Sequence, residues 1–309
     1  MRKQLQQDLV LLLIAGLGLA CKASWALSLG PAIFMVQNVV PGQPVDVKKT
    51  SGVVYTINNT SDTESALSLT CKKPIEGGVV AWEWGYDEIP DASWCKLEKE
   101  EITVPPKSKI EVGLTIAIPD KPEYYNCKWI VAVVLKPGKT AGPGVGLAVA
   151  ARVQIETALN NDPKSGGAVA LAAIPCLLPI EGKPGGAAER TVLIKNNTDR
   201  TLECATQRLE DCFQEGESRY PRYTSPGYQA LEKESWLKEK EQKFSLKPGE
   251  QHEYKLKARI PEAAKPGEKR EELVFITAPA PEPGNKGPKG RETRTFFRIR
   301  YDVVAEEAK

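Results

Sequence analysis

The side chains that could do chemistry in this chain are seven cysteines and a single histidine, His252. Serine–histidine or cysteine–histidine catalysis would have to use that one imidazole. The zinc-binding spacing Cys-x-x-Cys is absent, as are the nucleophile elbow, the phosphate-binding loop and the dinucleotide-binding fingerprint. We therefore expect a protein that is not an enzyme, needs no metal or cofactor, and uses its cysteines for disulfides.

Aromatic and basic side chains are concentrated in two insertions, residues 72–95 and 214–237. Exposed aromatic rings stack on sugars or anchor partner proteins. The candidate binding residues are Trp82, Trp84, Tyr86, Arg219, Tyr220, Arg222 and Tyr223. They predict a partner that is either a protein or a cell-wall glycan.

An alternative role for these rings is to cap the folded domains. Tyr86 and Trp94 recur in register in the second insertion, which favours packing. Trp82 and Trp84 have no tryptophan counterparts there. Because they are two residues apart, they lie on one face if the segment is extended. Both roles therefore stay open, with surface binding assigned first to this tryptophan pair.

The second insertion belongs to a repeat of the first half of the chain, at a constant spacing of 142 positions. The pattern Gly-Tyr-x7-Trp begins at Gly85 and again at Gly227, and an Ile-Pro pair at residues 118–119 recurs at 260–261. A pattern this long in register indicates one fold made twice.

Alternating apolar and polar residues predict β-strands in both halves. Every second side chain is apolar in residues 110–118, and residues 254–260 repeat this with charges on the other face. The continuously apolar runs 129–135 and 273–278 predict central strands covered on both faces. About seven short strands in each half are typical of an immunoglobulin-like (Ig-like) sandwich, so we predict an all-β protein of two tandem sandwiches.

The amino terminus has the features of an export signal. Arg2 and Lys3 precede an apolar run that ends at Cys21, and cleavage is predicted after Ala26. The alternative is a lipoprotein anchored through Cys21.

The predicted divisions are a signal peptide at 1–26, a first Ig-like domain at 27–158, a linker at 159–169 and a second Ig-like domain at 170–309. The mature chain is electroneutral by count, which argues against nucleic acid as a partner.

Export to the periplasm or the cell exterior would place the cysteines in an oxidising compartment. The candidate disulfide residues are Cys71, Cys127, Cys204 and Cys212. In an Ig-like sandwich the third and sixth strands are antiparallel neighbours, so Cys71 and Cys127 are predicted to pair, and the other two could close a local loop. Cys95 and Cys176 could pair between the domains, or one could remain free.

Several turn motifs recur in both halves. An Asn-Asn-Thr turn lies at residues 58–60 and 196–198, and a strand ends in Ile-Pro and an acidic residue at 118–120 and 260–262. This pattern resembles bacterial extracytoplasmic Ig-like domains of the pilus-chaperone-like and WxL-protein-associated surface types. The resemblance implies binding or scaffolding. The chain departs from pilus chaperones because its two domains look alike and no basic pair can be placed in the cleft.

The sequence thus predicts a non-enzymatic envelope protein that binds or scaffolds a partner. One alternative is a periplasmic chaperone-like protein that lends an edge strand to secreted subunits. Another is a glycan-binding module that uses the aromatic insertions.

Overall fold

The computed structural model describes residues 27–78, 85–138, 148–208, 223–231, 235–238, 241–279 and 292–305. These residues form two β-sandwiches, as the alternating patterns predict. The predicted signal peptide with Cys21 lies outside the described residues, as do Trp82, Trp84, Arg219, Tyr220, Arg222 and Cys212. Among the residues that the structure describes, no helix has the length and apolar character needed to cross a membrane.

The first half forms three sheets in its described part. Its strands are β1 (Leu27–Gly30), β2 (Ile33–Val39), β3 (Val45–Asp46), β4 (Tyr55–Asn59), β5 (Ser65–Lys72), β6 (Asp87–Glu88), β7 (Cys95–Leu97), β8 (Glu101–Val104), β9 (Ser108–Val112), β10 (Leu114–Ile116), β11 (Lys128–Pro137) and β12 (Val149–Thr157). The sheet orders are β1-β4-β9, β3-β10-β7 and β2-β12-β11-β5-β8. A short helix, α1 (Val47–Ser51), follows β3, and 3-10 turns span Ala92–Trp94 and Pro122–Tyr124.

The second half repeats this arrangement. Its described strands are β13 (Leu171–Ile174), β14 (Leu177–Gly182), β15 (Ala187–Asn196), β16 (Leu202–Arg208), β17 (Gln229–Ala230), β18 (Lys243–Leu246), β19 (Gln251–Arg259), β20 (Lys269–Ala278) and β21 (Thr293–Val303). The sheet orders β13-β15-β19 and β14-β21-β20-β16-β18 match β1-β4-β9 and β2-β12-β11-β5-β8 of the first half strand by strand. The predicted duplication is therefore confirmed in topology.

A buried asparagine recurs at this turn in both halves, as the second residue of the Asn-Asn-Thr motif in the first half and as its first residue in the second half. Asn59 Nδ2 donates a hydrogen bond to the Val104 carbonyl (3.0 Å) at the end of β8. Asn196 Nδ2 donates the equivalent bond to the Leu246 carbonyl (3.0 Å) at the end of β18. Both asparagines are fully buried. Because a buried carbonyl without a donor is costly, each asparagine ties the turn to the opposite sheet of its sandwich.

The tryptophans that recur in register pack inside the sandwiches. The Trp94 ring lies edge-on to Trp129, with centroids 5.8 Å apart. The Trp236 ring lies 4.9 Å from Tyr301 and is almost fully buried. The packing role predicted for this recurring position is confirmed.

The strand register corrects the predicted Cys71–Cys127 disulfide. β5 pairs with the second part of β11, which places Cys71 opposite Val133. Cys127 precedes β11 and is six residues from Val133, about 20 Å along an extended strand. Both thiols are free. The prediction assumed that the end of β5 lies beside the start of β11. In the structure β5 pairs with the later part of β11, so the two cysteines are not neighbours. Cys204 also has a free thiol, and Cys212, its predicted partner, is not among the described residues.

Candidate functional site at the interface between the halves

The outer faces of the two six-stranded sheets, which include β6 beside β11 and β17 beside β20, meet in an aromatic cluster. Its buried members are Tyr86, Ile130, Tyr223, Leu273, Phe275 and Phe296. The first two come from the first half and the others from the second. The Tyr86 ring lies edge-on to Phe296 (5.5 Å) and 6.2 Å from the Tyr223 ring. This interface covers the second face of β11 and β20, so both are buried on both sides, as their continuous apolar runs predict.

Gly85 allows this close approach. Its φ is +77°, a left-handed conformation that favours glycine, and a Cβ there would overlap the Phe296 ring. The corresponding Gly227 has φ +82°, but a Cβ there would meet open space. The repeated glycine therefore serves a turn in both halves and the interface only in the first.

Arg298 is the central charge of the interface. It lies on β21 and is buried to 1% exposure. Its Nη2 and Nε donate to the two carboxylate oxygens of Glu156, on β12 of the other half, at 2.5 and 2.9 Å. Its Nη1 donates to Glu271 Oε1 on β20 at 2.7 Å. One guanidinium therefore joins a carboxylate from each half, with the paired geometry that arginine favours.

Neutral side chains extend this network across the interface. Tyr86 OH donates to Glu156 Oε1 at 2.5 Å. Gln37 Nε2 donates to Glu156 Oε2 at 2.9 Å, and Gln37 Oε1 accepts from Arg300 Nη2 at 3.1 Å. Ser225 Oγ also accepts from Arg300 (2.6 Å) and donates to Glu271 Oε2 (2.5 Å). Each buried charge thus has several partners, which a buried ion pair requires for stability.

The ionisation states of Glu156, Arg298 and Tyr86 are fixed around neutral pH. Burial raises the pKa of Glu156, but the charges of Arg298 and Lys128 outweigh burial and hold it at about 2, below its ordinary 4.5. Burial alone would lower the pKa of Arg298, but the charges of Glu156 and Glu271 outweigh burial and raise this pKa above its ordinary value. Burial and the Glu156 charge raise the pKa of Tyr86 well above its ordinary value. These groups therefore orient the halves and do not exchange protons near neutral pH.

The connection between the halves is packed onto the first half. Asn126 Nδ2 donates to the Asn160 carbonyl (2.5 Å), and the Gly166 amide donates to the Tyr125 carbonyl (2.7 Å). Asn126 Oδ1 accepts from the amide of Cys176 in the second half (3.1 Å). The short linker thus adds direct contacts to the interface, consistent with domains that pack together.

Two of the seven predicted binding residues, Tyr86 and Tyr223, lie at this interface. Both are buried between the halves, with 3% and 1% exposure; for Tyr86 this agrees with the packing role that its recurrence favours, whereas Tyr223 was a candidate for surface binding. The other five are outside the described residues. His252 stacks on Phe244 with centroids 4.1 Å apart, a packed position as its place in an alternating strand predicts. Within the described residues, no group of three or more His, Cys, Asp or Glu could hold a metal ion.

Sequence reasoning missed the charged residues of the interface. Arg298 lies between Phe297 and Ile299, Glu156 directly follows Ile155, and Glu271 precedes Glu272 and the apolar run 273–278. A charge inside a buried strand needs a partner. That signal could have identified all three residues as buried, although not their pairing.

No protein-family model matches the sequence, and no curated protein matches it. Solved structures that the chain resembles at low similarity include three that match along most of its length. A protein of unknown function from Porphyromonas gingivalis is 14% identical, with a TM-score of 0.33 over 90% of this chain and 100% of that chain. The class 5 fimbriae chaperone CfaA is 10% identical, with a TM-score of 0.30 over 88% and 98%. The E. coli chaperone DraB is 9% identical, with a TM-score of 0.30 over 87% and 96%.

We predict that Glu156→Gln lowers the free energy of unfolding by about 2–4 kcal/mol, because Arg298 then keeps only one buried counter-charge. Urea denaturation measures the change. Glu111→Gln is the matched control, since Glu111 pairs with Lys48 (3.4 Å) on the surface and should give little change. Equal effects of the two substitutions would contradict a buried pairing of Glu156 with Arg298.

The low pKa of Glu156 also predicts an acid dependence. A carboxylate with a depressed folded-state pKa stabilises the fold above its ordinary value of 4.5, and this contribution is lost as pH falls from about 4.5 towards about 2. Urea midpoints measured between pH 7 and pH 2 should therefore fall more steeply for the unmodified protein than for Glu156→Gln. Parallel curves for the two proteins would rule out this assignment.

Proposed function

We propose that this chain is an exported, non-enzymatic binding or scaffolding protein of the cell envelope. In this proposal the two Ig-like sandwiches act as one rigid body. The supporting observation is the buried contact of Arg298 with Glu156 of one half and Glu271 of the other. A fixed orientation suits a protein whose partner touches both halves, because little conformational freedom is lost on binding.

The aromatic insertions supply the proposed binding surface. Tyr86 and Tyr223 are described residues of the two insertions, and their rings lie side by side. In the sequence, Trp84 precedes Tyr86 by two residues and Arg222 directly precedes Tyr223. Both insertions therefore return to the fold at one place on the interface. We infer that they bind a single protein or cell-wall glycan together.

The described strand edges favour this binding role over the lending of an edge strand. β12 offers no open edge from Arg152 to Thr157, because β11 pairs with one side of it and β2 with the other. The longest edge strand of the described sheets is β19; its end is covered, since the Lys238 amide donates to the Lys257 carbonyl, and the exposed side chains of its open part include Lys255. Charges of this kind on an edge protect it from pairing with another chain.

The binding proposal predicts that Trp82→Ala with Trp84→Ala weakens capture of the partner at least about tenfold, as loss of aromatic anchors does at many interfaces. The measurement is quantitative affinity capture from solubilised envelope and on purified peptidoglycan fragments. Ile75→Ala is the control, since Ile75 is exposed (68%) in the same insertion and is not aromatic.

Retention by the tryptophan variant equal to that by Ile75→Ala would contradict the proposed surface. Recovery of secreted subunits, with binding abolished by Lys255→Pro on the edge of β19, would instead establish the chaperone-like alternative. Turnover of a captured glycan that depends on His252 would contradict the non-enzymatic assignment.

Export predicts a mature protein that begins at Leu27. Intact mass and amino-terminal sequencing of the protein from the envelope fraction measure this. A mass that includes a lipid on Cys21 would replace peptidase cleavage with the lipoprotein alternative. A full-length chain confined to the cytosol would contradict export.

A further inference from the structure

Two cysteines face the core of the first sandwich from different sheets. Cys71 follows Leu69 at a spacing of two on β5, so both side chains point to the same face of the sheet. Cys95 begins β7 in the small sheet β3-β10-β7, where it is opposite Ile116. Both cysteines pack in the core of the first sandwich.

The two thiols are close enough to influence one another. β5 packs against β7 and against the 3-10 turn that precedes it. Burial raises the pKa of Cys95, and the neighbouring Cys71 raises it further. The pKa of the Tyr55 hydroxyl, raised mainly by burial, responds to both cysteines. Their position between facing sheets corrects the pairing expected from the sequence.

These cysteines also flank the first aromatic insertion. Cys71 precedes residue 72 and Cys95 is residue 95 itself, so a bond between them would join the two ends of the insertion. In the sequence the enclosed segment contains Trp82, Trp84 and Tyr86.

The second half joins the ends of its insertion at the equivalent place. The backbone amides of Leu69 and Thr206 donate to the backbone carbonyls of Glu100 and Gln242, so Thr206 is the counterpart of Leu69 and Arg208 that of Cys71.

Arg208 Nε lies 3.5 Å from Glu272 Oε1, at the last described position before the second insertion. Glu272 also accepts from Ser235 Oγ and from the Trp236 amide, at the far end of that insertion. One carboxylate therefore holds both ends in the second half. The first half has a pair of thiols in this position.

We propose that Cys71 and Cys95 form a disulfide that closes the first aromatic insertion at its base. The two thiols together lose two protons and two electrons to a small-molecule disulfide, which is reduced to two thiols. Burial raises the pKa of Cys71 to about 12, so thiolate is scarce in the folded protein and the bond forms as the chain folds. The role of the bond in presenting the insertion rests on the proposed binding function.

The test is oxidative refolding of the purified full chain with glutathione and glutathione disulfide, followed by alkylation and digestion without reduction. Trypsin should release one linked species, in which the peptide ending at Lys72 is joined to the peptide ending at Lys96. Cys71→Ser should leave Cys95 open to alkylation, whereas Cys204→Ser should not affect the linked species. Reduction should lower the melting temperature of the unmodified protein by roughly 5 °C or more.

Recovery of Cys71 and Cys95 both alkylated, or of either joined to another cysteine, would overturn the proposal. The outcome does not depend on cellular location, because the oxidant is added to the purified protein. Failure of export with the linked peptides present would reject the envelope assignment and keep the disulfide. If the Cys95→Ser variant still binds the partner, the disulfide is not required for the proposed binding function.

Discussion

A buried arginine shared by two carboxylates from different halves is the interaction on which the architecture depends. Removing Arg298, Glu156 and Glu271 from water costs several kcal/mol for each charge, and the cost is offset only when all three meet in good geometry. A different orientation of the sandwiches would leave at least one charge buried without a partner. The network therefore selects one orientation more than it adds to stability, while the surrounding aromatic cluster supplies apolar burial.

The interface joins the two halves of the chain, which share one fold, through residues that differ between them. The Arg152 and Arg298 amides each donate to a carbonyl just before or at the start of the neighbouring strand, Ala32 in one half and Cys176 in the other. The two arginines thus hold equivalent places on β12 and β21. Arg298 is buried and contacts Glu156, whereas Arg152 is only partly buried. The equivalent sheet faces of the two halves thus carry different side chains, and Arg298 on one face pairs with Glu156 on the other.

The sequence predicts most of the fold because the signals for it are local or repeated. Alternation locates strands such as β19, and the constant spacing reveals the duplication. The register in which two distant strands pair leaves no comparable periodic signal in the sequence. The offset of β5 against β11, which separates Cys71 from Cys127, depends on the whole sheet. Tyr86 has an aromatic ring with a polar tip, a type that suits both an exposed platform and a buried interface, and only the packing of the second half distinguishes them.

The two insertions are restrained by different chemistry at equivalent places, and this difference has a physical reason. Burial raises the pKa of Glu272, so keeping it charged in the second half requires its hydrogen bonds and Arg208. A covalent bond between thiols carries no charge and needs no such partners in the first half. Tyr86 and Tyr223 add a contact that both insertions share. The ends of each insertion are thus held to the sandwiches, while the sequences between them differ.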